Sequence, residues 1–246
     1  MKAYQFLTLS TCLITLLAAP TSHAARGGMG GNHSLGGNFA FPSPSQDDYD
    51  KMISAANTAA GGISTKPMGQ GYELNLQYMY RFSGSMFAIL FRPSLFTQSS
   101  LGKASNGAKY NYELNGWTFF PTFRLVPLEN SFLKFYMQIG LGYGRLNGKI
   151  RENDSTIEFS GGNFGGSAGI GSEFCFFDNH CFTLEGNFRY LPFERNIASS
   201  VGAPGGWGTG SLTGPPSNGE EVEIENRDLG TTLSGMLASI GYVVYF

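Results

Sequence analysis

Ser239-Ile240-Gly241-Tyr242-Val243-Val244-Tyr245-Phe246 sets hydrophobic side chains at every second position and stops on an aromatic ring. Upstream, Met236 and Ala238 extend the same face, so one apolar side runs unbroken through Ile240, Tyr242, Val244 and Phe246. A period of two is that of a β-strand with one buried face. Soluble domains usually let a terminus fray into polar residues. A strand that stops on its apolar face asks for other surroundings.

The same alternation recurs along the chain. Tyr72, Leu74, Leu76, Tyr78, Tyr80 and Phe82 share one face, and Glu73, Asn75, Gln77, Met79 and Arg81 share the other. After Ser83-Gly84 comes Phe87, Ile89, Phe91, Pro93 and Leu95 against Ala88, Arg92, Ser94 and Gln98. A two-residue turn would pair Tyr80 with Phe87 and Leu76 with Phe91, keeping both apolar sets on one side of a hairpin. Beyond a polar loop over 99–109, Tyr110, Tyr112 and Leu114 give way to Trp117, Phe119, Phe123 and Leu125, a change of phase that predicts a bulge near Asn115-Gly116. A turn over 127–131 leads to Leu133, Phe135, Met137, Ile139, Leu141 and Tyr143, whose opposite face is Lys134, Tyr136, Gln138 and three glycines. A loop over 148–154 precedes Phe164, Ala168, Ile170, Phe174 and Phe176, and Phe182, Leu184, Phe188 and Tyr190 follow the next turn. The longest loop covers 196–227, and the final strand is expected from about Leu229.

The N-terminus carries Lys2, the apolar run Phe6–Ala19, Pro20 and then Ser22-His23-Ala24, which reads as a signal peptide over 1–24 cut after Ala24. That run is shorter than the ~20 residues of a spanning helix, and no other segment comes closer. Any meeting with a membrane is therefore through strands. With 35 Gly, 21 Phe and 12 Tyr but only 14% charged residues, the chain is poor in helix formers. A net charge of −2 gives no basis for nucleic-acid binding. Cys175 and Cys181 flank a short turn, and after export a disulfide between them is expected. The alternative, a metal or redox site with His180 and Asp178, lacks ligands.

Near the start of the exported region, residues 33–41 form the weakest strand, with Leu35, Phe39 and Phe41 on one face. Ser45 and Asp48 have the spacing of a capping box. Tyr49, Met52, Ile53, Ala56 and Ala60 then predict an amphipathic helix over about 47–60 that covers or plugs the rim. Counting the strand at 33–41, eight strands alternate between short turns (83–84, 127–131, 177–180) and longer connections (43–70, 99–109, 148–154, 196–227). Short turns on one rim and long loops on the other are the plan of a transmembrane β-barrel. The predicted fold is all-β: one eight-stranded antiparallel barrel domain over 25–246 with one loop helix.

One face of these strands is apolar, whereas the other carries Glu73, Arg81, Arg92, Lys134, Glu173, Glu185 and Arg189 among glycines. Eight strands leave an interior just wide enough for side chains, so these seven charges are expected to form a salt-bridged lumen network. A soluble lipocalin-like barrel would bury the aromatic face instead.

With these features the chain resembles the small eight-stranded outer-membrane barrels related to the OmpA transmembrane domain, OmpX and OmpW, over residues 33–246. Ser239, Gly241, Val244 and Phe246 match the C-terminal insertion signal of such barrels. The chain departs from OmpA in ending at the barrel, so no wall-anchoring role is carried over. The resemblance implies a Gram-negative outer membrane, contact with its lipid and lipopolysaccharide, and assembly through the barrel-assembly machinery and periplasmic chaperones. Enzymes of this size use a histidine near a serine. Here His33 and Ser34 would point to opposite faces, and His180 sits in a short turn. No catalytic, cofactor or metal site is expected. The expected role is structural or surface-interacting, through loops whose ligand the sequence does not name; the alternatives are a narrow channel for small or hydrophobic solutes and a lipid-A-modifying enzyme.

Overall fold

The computed structural model describes residues 32–59, 64–103, 107, 109–177, 179–202 and 216–246. The predicted signal segment, Cys12, Asp178 and the Pro204–Gly208 stretch lie outside them. Eight antiparallel strands make one wall: β1 (His33–Ser43), β2 (Tyr72–Arg81), β3 (Phe87–Lys103), β4 (Lys109–Glu129), β5 (Leu133–Glu152), β6 (Ser155–Phe177), β7 (His180–Tyr190) and β8 (Gly235–Tyr245). Each strand pairs with its neighbours in sequence. The wall closes where β8 meets β1, from Ser34↔Tyr245 to Ser43↔Met236. The glycines of β1 belong to this closure, since a Cβ on Gly36 would lie 2.6 Å from the Tyr242 carbonyl oxygen.

Strand lengths divide the wall into two levels. A tilted strand crosses a bilayer in about 9–11 residues; β2 has 10 and β1, β7 and β8 have 11 each, whereas β3 to β6 have 17, 21, 20 and 23. The four long strands rise beyond the membrane on the side away from the short turns, as a half-cylinder. A loop strand, Ile197–Gly202, lengthens it by pairing with β6.

The expected loops over 99–109 and 148–154 are therefore largely strand: β3 runs to Lys103, β4 starts at Lys109, and only Asn153 and Asp154 separate β5 from β6. The expected bulge at Asn115-Gly116 is absent. Both β4 ladders are regular there, with Thr97↔Asn115 and Asn115↔Asn147 in step. Tyr112 and Leu114 are buried because they face inward, and Trp117 and Phe119 are exposed because they face outward. The apolar residues change sides where the strand leaves the membrane. The irregularity in β4 lies between Leu125 and Leu128, where Pro127 has no N–H for the ladder.

The first hairpin is also longer than expected. Tyr80 pairs with Ile89 and Tyr78 with Phe91, and residues 83–86 make the turn with Gly84 at φ +67. The register moves by two, so every side chain keeps its face. At the other end, β8 begins at Gly235 rather than near Leu229. The preceding connection holds the two-residue strands Glu223–Ile224, Arg227–Asp228 and Thr231–Thr232.

Outside, the membrane-level wall is apolar. Leu76, Leu141, Ile139, Ile170 and Ile240 are exposed, between a long-loop girdle including Tyr72, Trp117, Tyr143 and Phe164 and a short-turn girdle including Tyr80, Phe176, Tyr242 and Phe246. Ring contacts such as Tyr143–Phe164 at 5.1 Å and Phe182–Tyr242 at 5.3 Å knit each girdle. An apolar belt between aromatic girdles is what lipid requires.

Candidate functional site

The predicted lumen residues face inward from five different strands, as period-two alternation dictates. Arg92 reaches Glu185 with both terminal nitrogens at 2.7 Å and donates to Gln77 Oε1 at 2.8 Å. Arg189 donates to Glu73 Oε2 at 2.8 Å and to the Leu233 carbonyl at 2.8 Å. At the short-turn rim, Glu129 joins Arg81 at 2.6 Å and Lys134 at 3.5 Å, and the Lys134 ammonium lies 3.6 Å from the Tyr245 ring centre.

The centre of this network is a residue the seven did not include. Arg124 is 1% exposed; it donates to Glu173 Oε1 at 2.8 Å, to Glu185 Oε1 at 3.1 Å and to Gln138 Oε1 at 3.1 Å. Its guanidinium lies 3.8 Å over the Tyr136 ring, whose hydroxyl donates to Glu185 at 2.7 Å. The Tyr245 hydroxyl donates to Glu173. A planar five-donor cation suits such a junction. The signal was in the sequence: Arg124 stands between Phe123 and Leu125 and so must face inward by the same alternation. Glu129 was hidden by the expectation of a turn at 127–131.

Glycines on β5 and β6 make room for this layer and the one above it. A Cβ on Gly171 would sit 2.4 Å from the Tyr136 ring, and one on Gly142 2.2 Å from the Phe119 carbonyl oxygen.

Above the charges the lumen turns apolar. Tyr49, Met52, Ile53 and Ala56 of the helix α1 (Asp47–Ala59) pack with Tyr112, Leu114, Leu146, Ile150 and Phe159 of the half-cylinder and with Val222, Ile224, Leu229 and Leu233 of the last connection. The helix thus plugs the raised part of the barrel from inside. Of its predicted stripe, Tyr49, Met52, Ile53 and Ala56 are buried and Ala60 lies outside the described residues, but the capping box is not made. Ser45 donates to Asp47 at 2.5 Å, while the Asp48 carboxylate accepts from Arg227 and from the Gly230 N–H at 2.9 Å.

Burial raises the Asp48 pKa, but the Arg227 and Gly230 contacts outweigh it and hold the carboxyl below its ordinary value. A depressed folded pKa stabilises above the unfolded value and loses that contribution as pH falls through the folded one. Docking of the last connection is therefore expected to weaken only below about pH 4. Hydrogen exchange of residues 227–233 in acid should show this dependence, and Asp48→Asn should abolish it.

Cys175 and Cys181 are directly opposite and disulfide-bonded, six residues apart. Replacing both by Ser is expected to cost about 2 kcal/mol, the figure for so short a closed loop. Urea unfolding in micelles measures it. Thiol labelling of unreduced protein should leave both positions unmodified.

The four residues of the insertion-signal pattern divide between the faces. Phe246 and Val244 lie outward, while Ser239 and Gly241 face the lumen; a Cβ at Gly241 would collide with Asn38 Oδ1 at 2.0 Å. His33 lies against Tyr78, with Nδ1 2.7 Å from its hydroxyl, and Ser34 is buried on the opposite side of the wall. His180 Nδ1 meets the Tyr242 hydroxyl at 2.5 Å.

An apolar exterior belt, two aromatic girdles and paired charges inside define a transmembrane β-barrel of the eight-stranded size. The chain belongs to the outer membrane protein beta-barrel domain family, whose model matches residues 9–233. No curated protein sequence matches it. Among solved structures, OprG from Pseudomonas aeruginosa superposes with a TM-score of 0.56 at 12% identity, over 89% of this chain and 98% of OprG. Neisserial surface protein A gives 0.47 at 11% identity, over 88% of this chain and 98% of its own. Ail, the attachment invasion locus protein of Yersinia pestis, gives 0.37 at 13% identity, over 88% and 99%. At 12% identity the likeness to OprG is one of fold.

Proposed function

We propose that the protein is a non-conducting, non-enzymatic outer-membrane barrel that presents a rigid platform outside the cell. The observation that carries this reading is the double obstruction of the lumen: the Arg124 layer with Glu173 and Glu185, and above it the plug formed by α1. A barrel filled with its own side chains has no diffusion path. The platform's role is structural or surface-interacting.

The outward faces of the raised strands support contact with lipopolysaccharide. Lys103, Lys109, Lys149 and Arg151 stand above the Trp117–Tyr143 girdle and Arg145 lies opposite Trp117 within it, with Lys149 paired to Glu158 at 2.7 Å. Cations at that height suit the phosphates of an outer leaflet. In the same reading, residues 1–24 direct export and are cleaved in a Gram-negative cell. Ser239 to Phe246 serve the barrel-assembly machinery after periplasmic chaperones deliver the chain.

Planar-bilayer recording of the refolded protein tests the proposal. No discrete conductance steps are expected from the wild type; regular steps would replace this reading by that of a narrow solute channel, which the polar cavity at mid-lumen favours.

A further inference from the structure

We propose that the outward wall of β3 to β5 docks lipopolysaccharide through phosphates at two heights, one at the lipid A level and the other on its inner-core sugars. The inference rests on the lipopolysaccharide contact proposed above and names the part of that molecule which the wall reads. Above Tyr143, the outward residues of β5 are Arg145, Asn147, Lys149 and Arg151. Arg145 lies opposite Trp117 on β4 and Gly162 on β6, and Arg151 lies opposite Asn111 and Thr156. Of the three cations only Lys149 has acids opposite it, Glu113 on one side and Glu158 on the other, and it pairs with Glu158 at 2.7 Å.

The uncompensated cations therefore fall into two groups. Arg145 is the lower, at the girdle. The upper is Lys103, Lys109 and Arg151. Lys103 and Lys109 are exposed and directly opposite each other, a position in which like charges repel. Arg151 adjoins them, because Asn153, two residues on, donates its N–H to the Lys109 carbonyl at 2.9 Å. Among the described residues of these strands and their turns, the exposed acid at that height is Asp154, between β5 and β6. One carboxylate against three cations leaves a surface that an anion from outside completes.

The distance between the groups selects the occupant. From Arg145 to Arg151 the strand advances six residues, which at ~3.3 Å per residue and a tilt of ~40° is about 15 Å of height. A phospholipid headgroup layer is only about 5–8 Å deep. A phospholipid that meets Arg145 therefore stops short of the upper group, and free phosphate does not account for two groups with a compensated layer between them. A phosphorylated glycolipid does. Its acyl chains lie along the apolar belt, its lowest phosphate meets Arg145, and its sugars carry further phosphates up the wall. The lower group also suits a sugar: the Trp117 and Tyr143 rings, 5.8 Å apart, offer aromatic surface beside Arg145. Gly162 leaves room for the Tyr143 hydroxyl, which a Cβ there would meet at 2.1 Å, and so sets a second donor near the guanidinium.

Equilibrium binding to the full chain in phosphatidylcholine nanodiscs tests this. The probes are two rough lipopolysaccharides of equal sugar length, one with phosphates on its inner-core sugars and one without them. The phosphorylated form should bind the wild type more tightly by roughly tenfold or more. Lys103→Gln with Lys109→Gln and Arg151→Gln should remove that difference. Arg145→Gln should weaken both forms alike, by roughly fivefold, and keep the difference. All four side chains are exposed, and the heat-modifiable gel shift checks that the variants fold. Equal affinity of the two forms for the wild type, or a difference that survives the triple variant, would overturn the inference and leave lipopolysaccharide contact standing. Binding of both forms no tighter than that of phosphatidylglycerol would remove the contact itself, and the inference with it.

Discussion

Arg124→Met is expected to destabilise the barrel by about 3–5 kcal/mol, the cost of breaking a buried ion pair from one side. The methionine fills much of the space but leaves Glu173 and Glu185 facing each other without the cation that joins them. Glu185 keeps Arg92 and the Tyr136 hydroxyl, so the unmet charge falls mainly on Glu173. Urea unfolding in detergent micelles, followed by the heat-modifiable gel shift, gives the number. Adding Glu173→Gln to Arg124→Met should restore most of the loss, because the pair leaves together. By contrast, Arg81→Met at the rim, where the Arg81 side chain is 23% exposed, should cost under about 1 kcal/mol. Similar losses from both single variants would contradict a central role for Arg124.

Ile53→Asp is expected to expel α1 from the raised half-cylinder while leaving the membrane-level barrel intact. Ile53 is 1% exposed within the plug, and an unpaired carboxylate there costs several kcal/mol, more than a single docked helix can absorb. The gel shift should persist, since the ladders of β1 to β8 are untouched. Externally added protease should now cut within Asp47–Ala59, and should leave that helix intact in the wild type. Cleavage unchanged from wild type would show that the helix is not held by its apolar face. Ile53→Ala should give an intermediate result, with about 2–5 kcal/mol lost by truncation in a packed core.

The sequence is most legible where one environment holds along a whole strand. β2, β7 and β8 lie almost wholly at membrane level, and every inward and outward residue in them follows from alternation. β1 was weak in pattern because Gly36 and Gly37 contribute nothing to it, yet closure needs those glycines. Legibility fails where a strand passes between environments. Tyr110, Tyr112 and Leu114 are apolar and inward because α1 excludes water from the raised interior, a tertiary circumstance with no local mark. The apolar phase then shifts along the sequence, and a bulge is the natural local explanation. The two-residue error in the first hairpin has another origin: an even shift preserves every face, so polarity carries no information about it. Pairings such as Asp48 with Arg227 span most of the chain, and nothing nearby in sequence announces them. Arg124 follows from the same alternation, its inward charge lying between the outward Phe123 and Leu125.

The seam between β1 and β8 joins opposite ends of the folded chain, with the His33 and Phe246 backbones bonded to each other through both N–H groups. Every other ladder can form as soon as its hairpin exists, whereas this one must wait for strands far apart in sequence. Until it does, β1 and β8 each hold out a row of unpaired amides and carbonyls, which lipid cannot satisfy and a neighbouring chain can. An unclosed barrel is in this sense adhesive along one line only, and closure turns it inert by consuming that line.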